Sequence, residues 1–157
     1  MTLNIRKATL EDIPTLLEFE QGVIKAERPM NPTIQDGHIN YYNLKSLITG
    51  DNSVLLVAEL EGELVASGYA KILPDRHYLK HQYQGYLGFM FVPEEHRGNG
   101  YNKKIIDTLI AWCKEQDVYE IRLDVYPANE SAIKAYEKAG FQKYMLAMRL
   151  DSRELKD

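Results

Sequence analysis

The sequence of 157 residues predicts one α/β domain in which helices cover both faces of a central mixed sheet. Three observations lead to this prediction. Short apolar runs typical of strands alternate with amphipathic stretches typical of helices, a hairpin signal lies near the middle of the chain, and strand–helix–strand units follow it. The expected element order is β-α-α-β-β-β-α-β-α-β, and the sheet should contain six or seven strands.

The first half of the chain supplies one strand, two helices and the hairpin. The expected bounds are a strand at 3–8, helices at 9–25 and 39–48, and hairpin strands at 53–60 and 63–73. Thr9 stands where a helix N-cap belongs, and Glu61-Gly62 is a turn between two apolar runs. The loop at 27–38 is longer than most connections, which suggests a binding loop.

The second half alternates strands and helices. The expected bounds are strands at 84–92, 119–126 and 141–150, and helices at 100–116 and 129–139. Asn129 marks the start of the last helix, and Gly140 ends it as a C′ glycine does. The polar C-terminus at 151–157 should fray.

Composition and charge are those of an ordinary soluble domain, with 45% hydrophobic and 27% charged residues. A net charge of −4 gives no overall attraction to nucleic acid or to an anionic membrane. The N-terminus lacks the apolar core of a signal peptide, and no apolar run reaches the roughly 20 residues of a membrane helix. With Cys113 as the one cysteine and four histidines without zinc-ligand spacing, we expect a cytoplasmic protein without a metal site.

A glycine turn, Arg97-Gly98-Asn99-Gly100, joins a strand to an amphipathic helix. The first N–H groups of a helix lack acceptors, and its dipole adds partial positive charge there. Glycines allow close approach of a ligand to the backbone, so the turn suits a phosphate or pyrophosphate. It is neither a P-loop nor a dinucleotide-binding GxGxxG, and on its own it would also fit a plain strand-to-helix connection.

Two blocks together resemble the GNAT superfamily of acyl-CoA-dependent N-acetyltransferases. VPEEHRGNGYN at 92–102 is similar to the family's Arg/Gln-x-x-Gly-x-Gly/Ala loop, and NESAIKAYEKAGF at 129–141 is similar to its Asn-x-x-Ala-x-x-x-Tyr-x-x-x-Gly-Phe block. The chain departs from the family at Asn102, where Gly or Ala is usual, although the backbone N–H remains. The resemblance implies acetyl-CoA as co-substrate and an amine as acceptor.

The resemblance also implies which residues hold the cofactor. The pyrophosphate would bind the turn, the pantetheine arm would run along the end of the fourth strand, and one strand N–H would polarise the thioester carbonyl. The residues expected at the cofactor are Met90, Phe91, Val92, Arg97, Gly98, Asn99, Gly100, Tyr101, Asn102, Asn129 and Tyr136.

By the same resemblance Tyr136 is the candidate general acid for the departing thiolate, against the alternative of a packed helix tyrosine. Many members carry a glutamate base where this chain has Phe89, so that base is absent. Asp124 is a second candidate base, because ribosomal-protein alanine N-acetyltransferases carry an acid at the matching place. Its alternative is a solvated or salt-bridged strand acid, and deprotonation through water by several weak bases stays open.

We therefore predict transfer of an acetyl group to a primary amine of a small molecule or peptide by direct attack in a ternary complex. The residues resembling the family's acceptor wall are Glu27, Arg28, Asp36, Tyr41 and Tyr42. The alternatives are a protein or peptide N-terminal acetyltransferase, which the Leu-Asp-Val context of Asp124 favours, and a non-catalytic acyl-CoA-binding module. Family members are often dimers, so a homodimer is one expected state, although no residue marks an interface.

Overall fold

The computed structural model describes residues 2–156 and contains a five-stranded mixed sheet. The elements in chain order are β1 (Leu3–Lys7), α1 (Ile13–Glu27), α2 (Leu44–Thr49), β2 (Ser53–Leu60), β3 (Glu63–Pro74), β4 (Tyr83–Phe91), α3 (Tyr101–Glu115), β5 (Ile121–Arg122) and α4 (Glu130–Lys138). The strand order is β1-β2-β3-β4-β5. All neighbours are antiparallel except β4 and β5, which are parallel.

Apolar side chains on both faces of the sheet pack against helices, as the sequence predicts. In β2, Val54 and Leu56 face the core that includes α3, whereas Leu55 and Val57 face the core that includes α1 and α2. This follows from the period of two along a strand, and it explains why β2 is apolar almost throughout. None of the helices within residues 2–156 combines the length and the apolar content needed to cross a membrane.

Three turn and cap positions adopt the conformations that their residue types favour. Glu61 and Gly62 both have positive φ, 50° and 82°, in the predicted hairpin turn. The Asn129 side chain accepts a hydrogen bond from the backbone N–H of Ala132 and so caps α4. Gly140 follows that helix with φ 110°, which confirms it as the residue that ends the helix.

The second helix is shorter than the prediction of 39–48. The buried carboxylate of Glu20 accepts hydrogen bonds from the backbone N–H groups of Tyr41, at 3.0 Å, and Tyr42, at 2.7 Å. These bonds hold the segment before Asn43 outside the helix, and Asn43 then caps α2 by accepting from the N–H of Ser46. A long-range contact to a buried acid therefore overrides the local helical pattern.

The C-terminal part of the sheet also differs from the prediction. The strand expected at 119–126 pairs with β4 only over Ile121–Arg122. The strand expected at 141–150 does not form, because residues 142–150 are exposed and make no backbone hydrogen bond to the described part of the chain. The sheet therefore has five strands in place of the expected six or seven.

Candidate active site

Strands β4 and β5 pair at only two positions, and we call the place where they stop pairing the cleft. The two strands pair at Gly85–Ile121 and Tyr86–Arg122, and among the described residues no ladder joins them further on. Helix α3 follows the end of β4 and α4 follows the end of β5, so both helices begin at this edge. Ligands in open α/β sheets bind at the carboxyl ends of parallel strands that separate in this way.

A bulge in β4 lies beside the cleft. Ser67 pairs with Phe91 and Tyr69 with Gly88, so β4 has one extra residue between these pairs. Phe89 has φ 56°, a rare conformation for a bulky residue, and its carbonyl accepts a hydrogen bond from the Ser67 hydroxyl at 3.0 Å. Backbone strain of this kind is found preferentially at functional sites.

The predicted pantetheine segment sits at the end of β4. The side chain of Met90 packs against the core beside α3, whereas the ring of Phe91 lies 5.1 Å from that of Phe19 on the opposite face. The side chains of Met90 and Phe91 therefore pack on opposite faces of the sheet. The backbone of this segment has no strand partner on its β5 side within residues 2–156 and can accept an extended ligand there.

The glycine turn adopts the conformation expected of an anion site. Gly98 and Gly100 have φ of 83° and 78°, and a Cβ built at either position would meet no atom within 4 Å. Gly100 is the N-cap of α3 and supplies no capping side chain, so the first N–H groups of the helix remain available. Arg97 is exposed and donates from Nε to the carbonyl of Val92 at 3.0 Å, which ties the turn to the strand end.

Asn102, the departure from the family loop, has an unsatisfied polar atom. Its Oδ1 is buried without a hydrogen-bond partner among the described residues. A buried amide left unpaired costs about 1–3 kcal/mol, and rotation of the amide would present its donor nitrogen at the same place. A phosphate, which also accepts, would not pair with Oδ1 as it stands, so the fit to such a ligand rests on the uncapped N–H groups at the start of α3.

Tyr136 on α4 is half-buried, with its ring 5.9 Å from that of Phe141 in an edge-on arrangement. Burial, and next the charge of Glu27, raise the pKa of its hydroxyl above the ordinary value. The hydroxyl is therefore protonated at neutral pH and can donate a hydrogen bond.

Asp124 is exposed, and its Oδ2 accepts a hydrogen bond from the Tyr86 hydroxyl at 3.0 Å. Leu123 packs against the core on the other face, as the alternation of the strand predicts. Burial and then the charge of Asp124 raise the pKa of Tyr86. The carboxylate thus contacts a tyrosine and lies in the same region as the rest of the site.

Glu27 joins the site from the end of α1, and its side chain is half-buried. Burial raises the pKa of its carboxyl group, which a hydrogen bond with Tyr41 partly opposes. The charge of Glu27 also raises the pKa of Tyr86 and Tyr136. The sequence pattern assigned Glu27 to the acceptor wall but gave no signal that it lies near Tyr136, because that depends on how α1 packs against the sheet.

Aromatic rings extend from the Glu27 carboxylate across the sheet. The ring of Tyr42 lies 4.6 Å from that of Phe89 and 5.9 Å from that of Tyr69, which in turn lies 6.5 Å from Tyr86. Burial raises the pKa of Tyr41 to about 12, with its hydrogen bond to Glu27 as the next cause. We call these five rings, Tyr41, Tyr42, Tyr69, Tyr86 and Phe89, the aromatic wall.

The long loop after α1 is fixed beside the aromatic wall. Asn31 Nδ2 donates to the hydroxyl of Tyr126 at 2.9 Å, which joins the loop to the segment after β5. Arg28 Nη2 donates to the carbonyls of Gln35, at 2.9 Å, and Gly37. The predicted binding loop is thus attached to the rim of the cleft.

A second group of polar side chains lies outside the cleft. Glu63, Glu95 and His96 each offer one ligand atom, and these atoms lie within 4.8 Å of one another. Both carboxylates are exposed, and His96 Nε2 lies 3.2 Å from Glu63 Oε1. The group is accounted for by a surface contact between His96 and Glu63.

The family model described as "Acetyltransferase (GNAT) family" matches residues 20–141, more than half of the chain. Human N-acetyltransferase 8 is 30% identical over 99 residues, which are 63% of this chain and 43% of that protein. N-acetyltransferase 8B matches to the same extent. The match therefore spans less than half the length of these human relatives.

Solved structures share the fold. A tetramutant of the BH1408 protein from Bacillus halodurans superposes with a TM-score of 0.84 at 25% identity, covering 94% of this chain and 99% of that chain. A predicted acetyltransferase from Clostridium acetobutylicum, solved with acetyl-CoA, has a TM-score of 0.72 at 20% identity, covering 99% of this chain and 100% of that one. The similarity to the clostridial structure is a similarity of fold.

Proposed function

This chain belongs to the GNAT family of acetyltransferases, and from that premise we propose that it transfers an acetyl group from acetyl-CoA to a primary amine of a small molecule or peptide. One observation carries the proposal. Where β4 and β5 stop pairing, an unpaired strand edge lies beside the uncapped start of α3, and α4, which carries Tyr136, follows β5.

The cofactor contacts follow from these features. The turn at 98–102 would bind the pyrophosphate through backbone N–H groups, and the edge at 90–92 would pair with the pantetheine arm. Asn129 would position the start of α4 beside the same ligand. Acetyl-CoA supplies the activated acetyl thioester. The clostridial structure of the same fold with acetyl-CoA supports this assignment.

Direct transfer requires a neutral amine. We assign its deprotonation to Glu27 and Asp124. Burial raises the pKa of the half-buried Glu27, which makes it a stronger proton acceptor than a solvated glutamate. A backbone N–H of the segment 90–92 would stabilise the oxyanion that forms on attack.

Tyr136 would donate its hydroxyl hydrogen to the departing sulfur, for which a protonated tyrosine is required. An acyl-cysteine route is disfavoured on physical grounds. Cys113 is fully buried, and burial raises the pKa of its thiol to about 11, so that little thiolate forms at neutral pH.

The acceptor side favours a cationic amine. The aromatic wall offers ring faces and hydroxyls, and Glu27 and Asp124 add two carboxylates to the same cleft. Rings attract ammonium groups, and carboxylates bind them and then accept their protons. A peptide N-terminus and a small polyamine or amino sugar share this chemistry.

The test is calorimetric binding of acetyl-CoA and CoA, followed by thiol release with a panel of small amines and short peptides. Tyr136→Phe should lower turnover roughly 100-fold while the affinity for CoA changes little. Tyr119→Phe is the matched control, since Tyr119 is 69% exposed and lies in the connection between α3 and β5.

Thiol release with one acceptor class would support the proposal and identify the acceptor, provided that Tyr136→Phe loses this release and Tyr119→Phe keeps it. Binding of CoA without release across the panel would favour a non-catalytic acyl-CoA-binding module. Absence of CoA binding would overturn the assignment of the glycine turn.

A further inference from the structure

Glu20 on α1 is a charged residue that has no exposed surface. None of the ion pairs among residues 2–156 includes it, so no cation compensates the buried carboxylate there. Burying an unpaired charge is costly, and apolar residues of similar volume often stabilise a fold better. Stability alone therefore does not account for a carboxylate at this position.

The hydrogen bonds of this carboxylate within residues 2–156 all go to one short segment. Oε2 accepts from the backbone N–H groups of Tyr41, at 3.0 Å, and Tyr42, at 2.7 Å. Oε1 is buried and has no partner among the described residues. Hydrogen bonds to a charged acceptor are stronger than those between neutral groups. One oxygen atom of Glu20 therefore fixes the main chain at two consecutive residues.

Helix α1 gives Glu20 a fixed base. The ring of Phe19 lies 5.1 Å from that of Phe91 at the end of β4. A Cβ built on Gly22 would come within 2.6 Å of the same Phe91 ring, so the helix could not pack closer to the strand. The Glu20 carboxylate therefore connects the segment at 41–42 to a helix whose place on β4 is set by residues on both sides of Glu20.

The two tyrosines that Glu20 fixes contact groups on the acceptor side of the cleft. The ring of Tyr42 lies 4.6 Å from that of Phe89, in the bulge of β4, and 5.7 Å from that of Tyr41. Tyr41 in turn shares a hydrogen bond with Glu27. Burial first, and then neighbouring charges that include Glu20 and Glu27, raise the pKa of Tyr42, so its hydroxyl is protonated at neutral pH.

We propose that Glu20 is a positioning residue for the acceptor amine. Its carboxylate holds the main chain at Tyr41 and Tyr42 and so sets the place of the aromatic wall relative to Glu27. Glu20 itself has no exposed surface and does not contact the acceptor, so its effect passes through the two N–H groups. The inference rests on the proposed function, because it concerns the acceptor side of the same cleft.

The cofactor side should not depend on Glu20. The proposed cofactor contacts lie at 90–92 and 98–102, and the hydrogen bonds of the carboxylate within residues 2–156 reach neither segment. Loss of the carboxylate should therefore change the KM for the acceptor and leave the KM for acetyl-CoA as it is. A role in stability alone would not separate the two constants.

The experiment is steady-state kinetics of thiol release by the full chain. The acceptor is whichever of spermidine, glucosamine and an unblocked tripeptide the unmodified chain acetylates fastest. Glu20→Ala removes the carboxylate, and Glu20→Gln keeps an oxygen that can accept. Leu16→Ala is the matched control, because Leu16 is fully buried one turn earlier on α1 and its loss destabilises the fold through packing alone.

We expect Glu20→Ala to raise the acceptor KM at least about tenfold, because two N–H groups that place the aromatic wall lose their acceptor. Glu20→Gln should raise it about threefold, since a neutral oxygen makes weaker bonds than a carboxylate. This second variant also serves if Glu20→Ala fails to fold. Leu16→Ala should leave the acceptor KM unchanged, and all three variants should keep the KM for acetyl-CoA.

Three results would overturn the inference while acetyl transfer itself stands. The first is an acceptor KM that neither Glu20 variant changes. The second is a parallel rise of the KM for acetyl-CoA. The third is an equal rise of the acceptor KM in Leu16→Ala, which would assign the effect to lost stability. Absence of transfer by the unmodified chain to any amine of the panel would instead overturn the proposed function, and this inference with it.

Discussion

Replacement of Gly100 by alanine separates the stability of the glycine turn from its capacity to bind a phosphate. Gly100 has φ 78°, where a Cβ is disfavoured, but the added atom would meet nothing within 4 Å. The loss of stability should therefore come from backbone conformation alone, about 1 kcal/mol. For a domain of this size that lowers Tm by roughly 2–4 °C.

Gly62 is a matched control because it has φ 82° and surroundings that are equally empty, in the β2–β3 turn away from the cleft. Gly62→Ala should lower Tm by a similar amount and leave the affinity for CoA unchanged. Gly100→Ala should in addition weaken CoA binding at least about tenfold, since the methyl group occupies the space through which a phosphate approaches the N–H groups of α3.

Thermal unfolding and calorimetry of the two variants test whether the glycine turn binds the pyrophosphate. Equal losses of Tm with unchanged CoA affinity in Gly100→Ala would refute the assignment of the turn to the pyrophosphate. A larger loss of Tm in Gly100→Ala alone would refute the conformational argument instead.

Three further predictions concern buried or paired groups. Glu20→Ala should lower the free energy of unfolding by about 2–4 kcal/mol in chemical denaturation, because two backbone N–H groups lose a charged acceptor. The hydrogen bond from Arg6 lowers the pKa of Asp12, so its contribution to stability is present above the unfolded value near 3.9 and is lost as pH falls towards the lower folded pKa. Asp12→Asn should therefore flatten stability measured between about pH 5 and pH 2. Cys113 should resist thiol alkylation until the protein unfolds, because its side chain is fully buried and its pKa is raised to about 11.

Each of these has a contrary outcome. Unchanged unfolding in Glu20→Ala would show that water replaces the carboxylate. If the stability of Asp12→Asn falls at acid pH as steeply as that of the unmodified chain, other carboxyl groups dominate acid unfolding. Rapid labelling of Cys113 in the native protein would show that its region of α3 opens frequently.

Local sequence signals predict those parts of the fold that depend on local chemistry. The turn at Glu61-Gly62, the cap at Asn129 and the stop at Gly140 are each set by conformational preferences of a few residues. The glycine turn before α3 is likewise set by the conformational preferences of a few residues. These positions could be read from the chain because nothing distant competes with them.

Prediction from the sequence fails where a residue distant along the chain determines the local structure. The helix predicted at 39–48 is shortened by hydrogen bonds to Glu20, which lies about 20 residues earlier in a different helix. The strand predicted at 141–150 finds no partner strand within residues 2–156. The position of Glu27 near Tyr136 could not be foreseen, because it requires the three-dimensional packing of α1.

The bulge at Phe89 and the open edge of β4 have a consequence for how this protein can change. Under the proposed function, the cofactor would contact main-chain atoms there, which every substitution except proline retains. The acceptor would contact side chains, mostly tyrosines, which single codon changes can exchange. Random mutagenesis confined to the aromatic wall should therefore yield variants with new acceptors that keep the ancestral donor, and this asymmetry makes the scaffold easy to repurpose.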